Sequence, residues 1–111
     1  MKIIFKEILS SMNKLFNEYS SLISLDLSKV YSRNIKNMKF MFSNCSSLTS
    51  LDLSSFNINN VEIMSGMFSK YNSLISLDLF NFNTKKVKNM NGMFYNCSSL
   101  ITLDLSYLKY K

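Results

Sequence analysis

A repeat of 26 residues runs through this chain of 111 residues and constrains its fold more than any other feature. The repeat is clearest in SLISLDL, SLTSLDL, SLISLDL and SLITLDL, which begin at Ser21, Ser47, Ser73 and Ser99. Matching residues continue outside these segments, most regularly in the column of Phe16, Phe42, Phe68 and Phe94. Self-similarity at a fixed period of this length is typical of proteins built from stacked repeats. We therefore expect four structural units that lie one above another.

Each unit divides into a strand half and a helical half. Leu25 and Leu27 flank Asp26, so a strand would place the two leucines on one face and the carboxylate on the other. In residues 35–42 the apolar side chains recur at i, i+3 and i+7, which is the spacing of a short helix. A single unit cannot bury its apolar face alone, but stacked units can. The sequence predicts an α/β leucine-rich-repeat solenoid of about four turns, with a parallel sheet on one side and short helices on the other.

The predicted domain organisation is one repeat domain that spans residues 1–111. Residues 1–19 read as an amphipathic helix that caps the N-terminal end, and the repeats are centred on strands at 22–27, 48–53, 74–79 and 100–105. The last of these strands would form an uncovered edge, which invites pairing with another chain.

Two motifs resemble a known family. The pattern Leu22-x-x-Leu25-x-Leu27 resembles the leucine-rich repeat, and MFSNCSSL at 41–48 followed by LDL at 51–53 is similar to the BspA-like subclass, the 26-residue repeat of bacterial surface proteins. The resemblance extends from about Ile4 to Leu108. It implies a surface-exposed or lipid-anchored location, binding of other proteins or host molecules, and no catalytic residues. The sequence itself shows no recognisable export signal, and it leaves the localisation open.

Catalytic, metal and cofactor chemistry have little support in this composition. The chain has no histidine, two glycines and two cysteines, so it lacks Ser–His and Cys–His pairs and a phosphate-binding glycine loop. Cys45 and Cys97 are two repeats apart, which would separate their Cα atoms by ~10 Å, beyond the ~7 Å limit for a disulfide. The sequence predicts free, largely buried thiols, no enzyme activity, no metal and no cofactor.

One column of carboxylates is the main candidate for a partner-binding surface. It consists of Asp26, Asp52, Asp78 and Asp104. Like charges this close repel each other, and hydroxyls two residues earlier, at Ser24 and its equivalents, could donate hydrogen bonds that offset the repulsion. This structural interpretation is favoured over a cation site or a dock for a basic partner. Phe80 and Tyr107 are added as exposed aromatic candidates.

Another column is expected to be partly exposed beside the carboxylates. It consists of Ile23, Thr49, Ile75 and Ile101.

The charge and hydropathy patterns limit the other classes of partner. The net charge is +6, but the densest basic run, at 85–88, is short, so a solvated loop is favoured over a nucleic-acid patch. No apolar stretch approaches the ~20 residues of a transmembrane helix. We predict a non-enzymatic scaffold for protein–protein interaction, with cell-surface recognition or adhesion as its setting. The alternative is a structural fragment that associates with itself through its C-terminal strand.

Overall fold

Short strands and isolated bridges are the regular elements of the fold. The computed structural model describes residues 2–4, 16, 20–28, 32–79, 82–100 and 102–103. The strands are β1 (Lys2–Ile4), β2 (Ser24–Asp26), β3 (Ser76–Leu77) and β4 (Thr102–Leu103). Strand β1 pairs with β2, and β3 pairs with β4, both in parallel. Parallel bridges also join Asn37 to Ile63 and Ile63 to Asn89, each across 26 residues.

Backbone hydrogen bonds join consecutive units through the segment that follows each bridge. The N–H groups of Met38, Phe40, Phe42 and Asn44 donate to the carbonyls of Ile63, Ser65, Met67 and Ser69 at 2.9–3.1 Å. The next unit repeats the pattern, from Met64, Gly66, Phe68 and Lys70 to Asn89, Asn91, Met93 and Tyr95 at 2.6–2.9 Å. Every second residue of the segment therefore donates across to the next unit, in a register fixed by the repeat.

The intervening N–H groups close tight turns within their own unit. Met41 donates to Met38, Ser43 to Phe40 and Cys45 to Phe42, each to a carbonyl three residues earlier. Phe40 and Asn44 have positive φ angles of 55° and 63°. An α-helix requires negative φ and a bond from each N–H to the carbonyl four residues back. This segment satisfies neither condition.

Asparagine side chains stabilise the start of the turn segments, which include residues 38–45 and the equivalent residues 90–97. The Oδ1 atoms of Asn37 and Asn89 accept hydrogen bonds of 2.9 and 3.0 Å from the N–H groups of Lys39 and Asn91, two residues later. An asparagine that bonds its own backbone in this way favours a turn over a helix.

The predicted α/β leucine-rich-repeat solenoid is wrong. The described residues contain no helix, and residues 35–42 form a bridge and then turns, because the N–H groups of Met38, Phe40 and Phe42 are bonded to the neighbouring unit. Residues 48–53 form no strand, and the strands predicted at 22–27 and 74–79 shorten to three and two residues. The sheet is therefore two separate pairs of short strands. Side-chain periodicity reports which residues are buried, but it does not fix how the backbone is bonded.

The two ends of the domain also differ from the prediction. The helical cap predicted for residues 1–19 does not include Lys2–Ile4, which form β1, and most of the remaining cap residues lie outside the described part. Of the strand predicted at 100–105, the structure shows Thr102–Leu103 as β4.

The core consists of columns of equivalent side chains. The rings of Phe16, Phe42, Phe68 and Phe94 are stacked, with successive centroids 5.6, 5.9 and 5.4 Å apart and interplanar angles of 10° or less. Such parallel pairs fall within the range in which aromatic rings attract each other. Methionines 38 and 64, one repeat apart, are fully buried, as are Leu22 and Leu74, two repeats apart. The expectation that equivalent side chains lie above one another is confirmed for the phenylalanine column.

One core column contains the two cysteines and a tyrosine. Among the described residues, Cys45 and Cys97 form no disulfide, as predicted, although only Cys45 is fully buried. The Sγ atoms of Cys45 and Cys97 donate to the carbonyls of Phe16 and Phe68, at 3.2 and 2.9 Å. Tyr71 occupies the position between them, and its buried hydroxyl has no hydrogen-bond partner among the described residues. Burial raises the pKa of the Tyr71 phenol well above its usual value, and the nearby thiols act in the same direction.

Replacing Tyr71→Phe is expected to raise the free energy of unfolding by about 1 kcal/mol, because a buried hydroxyl without a partner carries an uncompensated desolvation cost. The unfolded tyrosine ionises near pH 10, whereas the folded one stays neutral to higher pH, so the wild-type chain should lose stability as the pH rises above about 10. The variant should lose less.

Urea denaturation at pH 7 and at pH 11 measures both effects. Tyr95→Phe is the matched control, because Tyr95 is 62% exposed and its replacement should change stability by less than about 0.5 kcal/mol. A Tyr71→Phe variant clearly less stable than the wild type would show that the hydroxyl has a partner.

Candidate partner-binding site

The first two carboxylates of the predicted acidic column lie near the ends of the leucine segments, which are the repeated stretches such as 21–27 and 47–53. Asp26 is half-buried at the end of β2, and its Oδ1 accepts hydrogen bonds from the N–H and the hydroxyl of Ser28, at 2.9 and 2.6 Å. Asp52 is exposed and accepts a hydrogen bond from the N–H of Ser54 at 2.9 Å. A carboxylate that accepts from the residue two places later closes a local turn. These aspartates thus shape the backbone at the exit from each leucine segment.

The hydroxyl partners differ from the predicted ones. The sequence interpretation assigns them to the residue two places before each aspartate, such as Ser24, whereas the structure uses Ser28 and Ser54, two places after. The reason is geometric. The carboxylate of Asp26 points toward the residues that follow it and accepts hydrogen bonds from both the N–H and the hydroxyl of Ser28. A residue two places earlier in the strand could not donate both.

The electrostatics of Asp52 show that the two carboxylates influence each other. The hydroxyl of Ser54, and then its N–H, lower the pKa of Asp52 below its usual value by stabilising the charged form. The smaller opposing effects are burial and the negative charge of Asp26, which raise it. Asp52 therefore stays ionised at neutral pH, and a cationic partner placed beside it would offset the repulsion from Asp26.

A small cavity lies beside this pair. It has a volume of about 230 Å³ and is lined by Ser24, Leu25, Asp26, Leu27, Ser28, Asp52, Ser54 and Ser55. Pockets for small molecules usually measure ~300–1,000 Å³. The cavity is therefore better suited to one inserted side chain than to a metabolite.

The structure places only part of the predicted surface. Asp78 is exposed in the third unit, while Phe80, Asp104 and Tyr107 lie outside the described residues. The sequence already separates the third unit from the others, because position 80 is phenylalanine where the first two units have Ser28 and Ser54.

Exposed isoleucines accompany the carboxylates. Ile23 and Ile75 occupy equivalent positions two units apart and are 62% and 50% exposed, so the partial exposure expected for their column is confirmed at both. Each precedes an aspartate by three residues, a separation of at most ~10 Å along an extended chain. An exposed isoleucine and an aspartate therefore recur at the same spacing in both units.

Several basic residues lie on what is named here the turn side, the segments just before and within the turns at 39–44, 65–70 and 91–96. Lys36, Glu62 and Lys88 form one column, and the Nζ of Lys88 lies 3.3 Å from the Oε1 of Glu62. The Nζ of Lys86 donates to the Oδ1 of Asn60 at 2.9 Å. Exposed pairs of this kind contribute little to stability.

Neither a metal-binding cluster nor a membrane-spanning helix is present in the part of the chain that the structure describes. No group of three or more histidine, cysteine, aspartate or glutamate residues in that part of the chain is arranged to hold a metal ion. No helix found there has the length and apolar character needed to cross a membrane.

The fold and the exposed surface define a repeat protein whose 26-residue units stack through backbone hydrogen bonds and buried side-chain columns. Residues 9–110 match the family described as "Mycoplasma protein of unknown function, DUF285", and the chain belongs to this family. The assignment to the BspA-like leucine-rich repeats is therefore wrong, because the family whose model matches is a different, though related, one. No curated protein matches the chain. No solved structure matches it either.

Substituting Ser54→Ala is expected to raise the pKa of Asp52 toward the value of a free aspartate, near 3.8, because the hydroxyl bond is the largest cause of the lowered pKa. Carboxyl chemical shifts followed by NMR between pH 2 and pH 6 measure the change. In the wild type, the stability that comes from this interaction is present above the unfolded pKa and is lost as the pH falls through the folded one.

Ser50→Ala is the control, since it removes the hydroxyl on the other side of the same aspartate. The turn is misassigned if Ser50→Ala shifts the titration of Asp52 and Ser54→Ala does not.

Proposed function

We propose that this chain is a non-enzymatic scaffold that binds a partner protein through the surface of its leucine segments. This surface, named here the leucine-segment surface, comprises Ile23, Asp26, Asp52, Ile75 and Asp78. The observation that carries the proposal is the repeated exposure of an isoleucine three residues before an aspartate, at Ile23 and again at Ile75.

The stack itself makes little use of these isoleucines. Their chain neighbours Leu22 and Leu74 are fully buried in the core, while Ile23 and Ile75 direct apolar surface to solvent. A single exposed apolar residue needs no explanation. Recurrence at the same position of two units, with a cavity beside the carboxylates of the first two units, is more than isolated exposure.

The charge of the surface indicates the chemistry of the partner. Asp26 and Asp52 are close enough that the charge of one raises the pKa of the other. A lysine or arginine between them would be attracted by both, and an adjacent apolar side chain would cover an isoleucine. The expected partner is therefore a protein segment that combines basic and aliphatic residues. The sequence assigns Asp104, Phe80 and Tyr107 to the same surface, and that assignment stays a prediction.

Selection from a random peptide library displayed on phage tests the proposal. Peptides enriched on the wild-type protein should combine lysine or arginine with leucine, isoleucine or valine. The triple variant Asp26→Asn, Asp52→Asn and Asp78→Asn should bind a selected peptide at least about tenfold more weakly, because it loses the charge complementarity. Fluorescence anisotropy with the synthetic peptide measures the affinities.

Glu62→Gln is the matched control, since it removes one carboxylate from the turn side and should leave peptide affinity unchanged. Circular dichroism of each variant verifies the fold. The proposal fails if no peptide is enriched, or if the triple variant binds the selected peptides as tightly as the wild type.

A further inference from the structure

One column in the turns changes residue type from unit to unit while its backbone conformation stays the same. Phe40, Gly66 and Gly92 are equivalent residues, and their φ angles are 55°, 62° and 64°. Positive φ is common for glycine and rare for a bulky residue such as phenylalanine. The stack therefore sets the backbone geometry, and that geometry does not explain why the side chain changes along this column.

The ring of Phe40 covers the glycine of the next unit. Its Cδ1 and Cε1 atoms occupy the space that a Cβ atom on Gly66 would need, and Gly66 is buried. Gly92, one unit further, is exposed. Among the described residues, a Cβ atom added there would meet only the Cβ of Tyr95, at 3.9 Å. The unit that should cover Gly92 carries Gly66 at the position of Phe40, so no equivalent ring is present.

The result is an open groove over Gly92. It has a volume of about 340 Å³ and is lined by Phe40, Ser43, Gly66, Ser69, Lys70, Asn91, Gly92 and Tyr95. Its walls include the aromatic residues Phe40 and Tyr95 and the charged residue Lys70. Tyr95, 62% exposed, is itself a departure from the repeat, because its equivalents Ser43 and Ser69 are buried and hydrogen-bonded to each other at 2.9 Å. Two columns thus break their pattern at the same groove.

We propose that this groove binds an aromatic side chain of a partner protein, seated on Gly92 as the ring of Phe40 is seated on Gly66. The chain supplies the precedent for this occupant, because the same backbone one unit away already holds a phenyl ring. In the core, rings on consecutive units lie 5.4–5.9 Å apart. A ring on Gly92 would lie beside Phe40 at a similar separation, within the ~4.5–7 Å range favourable for aromatic pairs.

The groove site is independent of the leucine-segment surface. It lies on the turn segments, between residues 40 and 95, and shares no lining residue with the cavity beside Asp26 and Asp52. An experiment that finds no binding at one of these sites therefore does not count against binding at the other.

NMR titration with N-acetyl-phenylalanine methylamide tests the proposal. The amide resonances of Gly66, Gly92 and Tyr95 should shift in a saturable way, and N-acetyl-leucine methylamide should bind about threefold or more weakly, because it lacks the aromatic contact. No saturation, or equal binding of the two probes, would overturn the proposal.

Two variants locate the site. Gly92→Asn fills the ring position and should reduce affinity at least about tenfold; its backbone is compatible with asparagine, since Asn44 and Asn96 have φ angles of 63° and 58°. Tyr95→Ser removes the aromatic wall and restores the residue type of its column, and it should also weaken binding. Ile75→Ala, on the leucine-segment surface, should leave the probe affinity unchanged.

The same measurements decide against other occupants. Unchanged probe affinity in both Gly92→Asn and Tyr95→Ser would overturn the proposal. Sedimentation of the wild type that shows a dimer abolished by Tyr95→Ser would assign the groove to a second copy of this chain, and would overturn it as well.

Discussion

The division of backbone N–H groups between two sets of acceptors is the constraint on which the rest of the structure depends. Along 38–45 and its equivalent one unit later, one residue donates to the next unit and the following one donates to its own turn. Nearly all the backbone donors of these buried segments are thereby satisfied without a helix or a wide sheet, as burial requires. The positive φ angles at Phe40 and Asn44 make the pattern possible, because they redirect the chain between the two kinds of bond. Equivalent residues are then held one above another, and the phenylalanine column stacks.

The sequence predicts the repeat, its period and its buried columns, because these depend on which side chains must leave water. The absence of a disulfide between Cys45 and Cys97 follows from the same register. Secondary structure does not follow from it. Apolar residues at i, i+3 and i+7 from Ile35 fit a helix, but the same spacing also fits successive three-residue turns, and only the backbone bonding separates them. A local feature of the sequence did favour turns. Two of the segments begin with asparagine, at Asn37 and Asn89, and two contain glycine, at Gly66 and Gly92. Both residue types favour turns.

The exposure of side chains could be predicted from the sequence where a residue repeats, but not where the repeat breaks, and the function of the surface stays a prediction. The pairing of Asp26 with Asp52 and the exposure of Ile23 and Ile75 follow from column positions. The groove over Gly92 was not predicted, although its components are visible in the sequence as Phe40, Gly66 and Gly92, and as Ser43, Ser69 and Tyr95. Its existence depends on Phe40 reaching across to the next unit, which a column of letters does not show. The leucine-segment surface thus uses positions that repeat, whereas the groove over Gly92 uses positions at which the repeat breaks.

The most direct test of this account is the measurement of NMR scalar couplings across hydrogen bonds. The account predicts correlations from the amide nitrogen of Phe42 to the carbonyl carbon of Met67, and from that of Phe68 to that of Met93. Both pairs are 25 residues apart and could not couple in a chain whose turn segments were helical. Correlations from Phe42 to Met38 and from Phe68 to Met64 would instead reveal α-helices, and would contradict the stacking of units through alternate backbone donors.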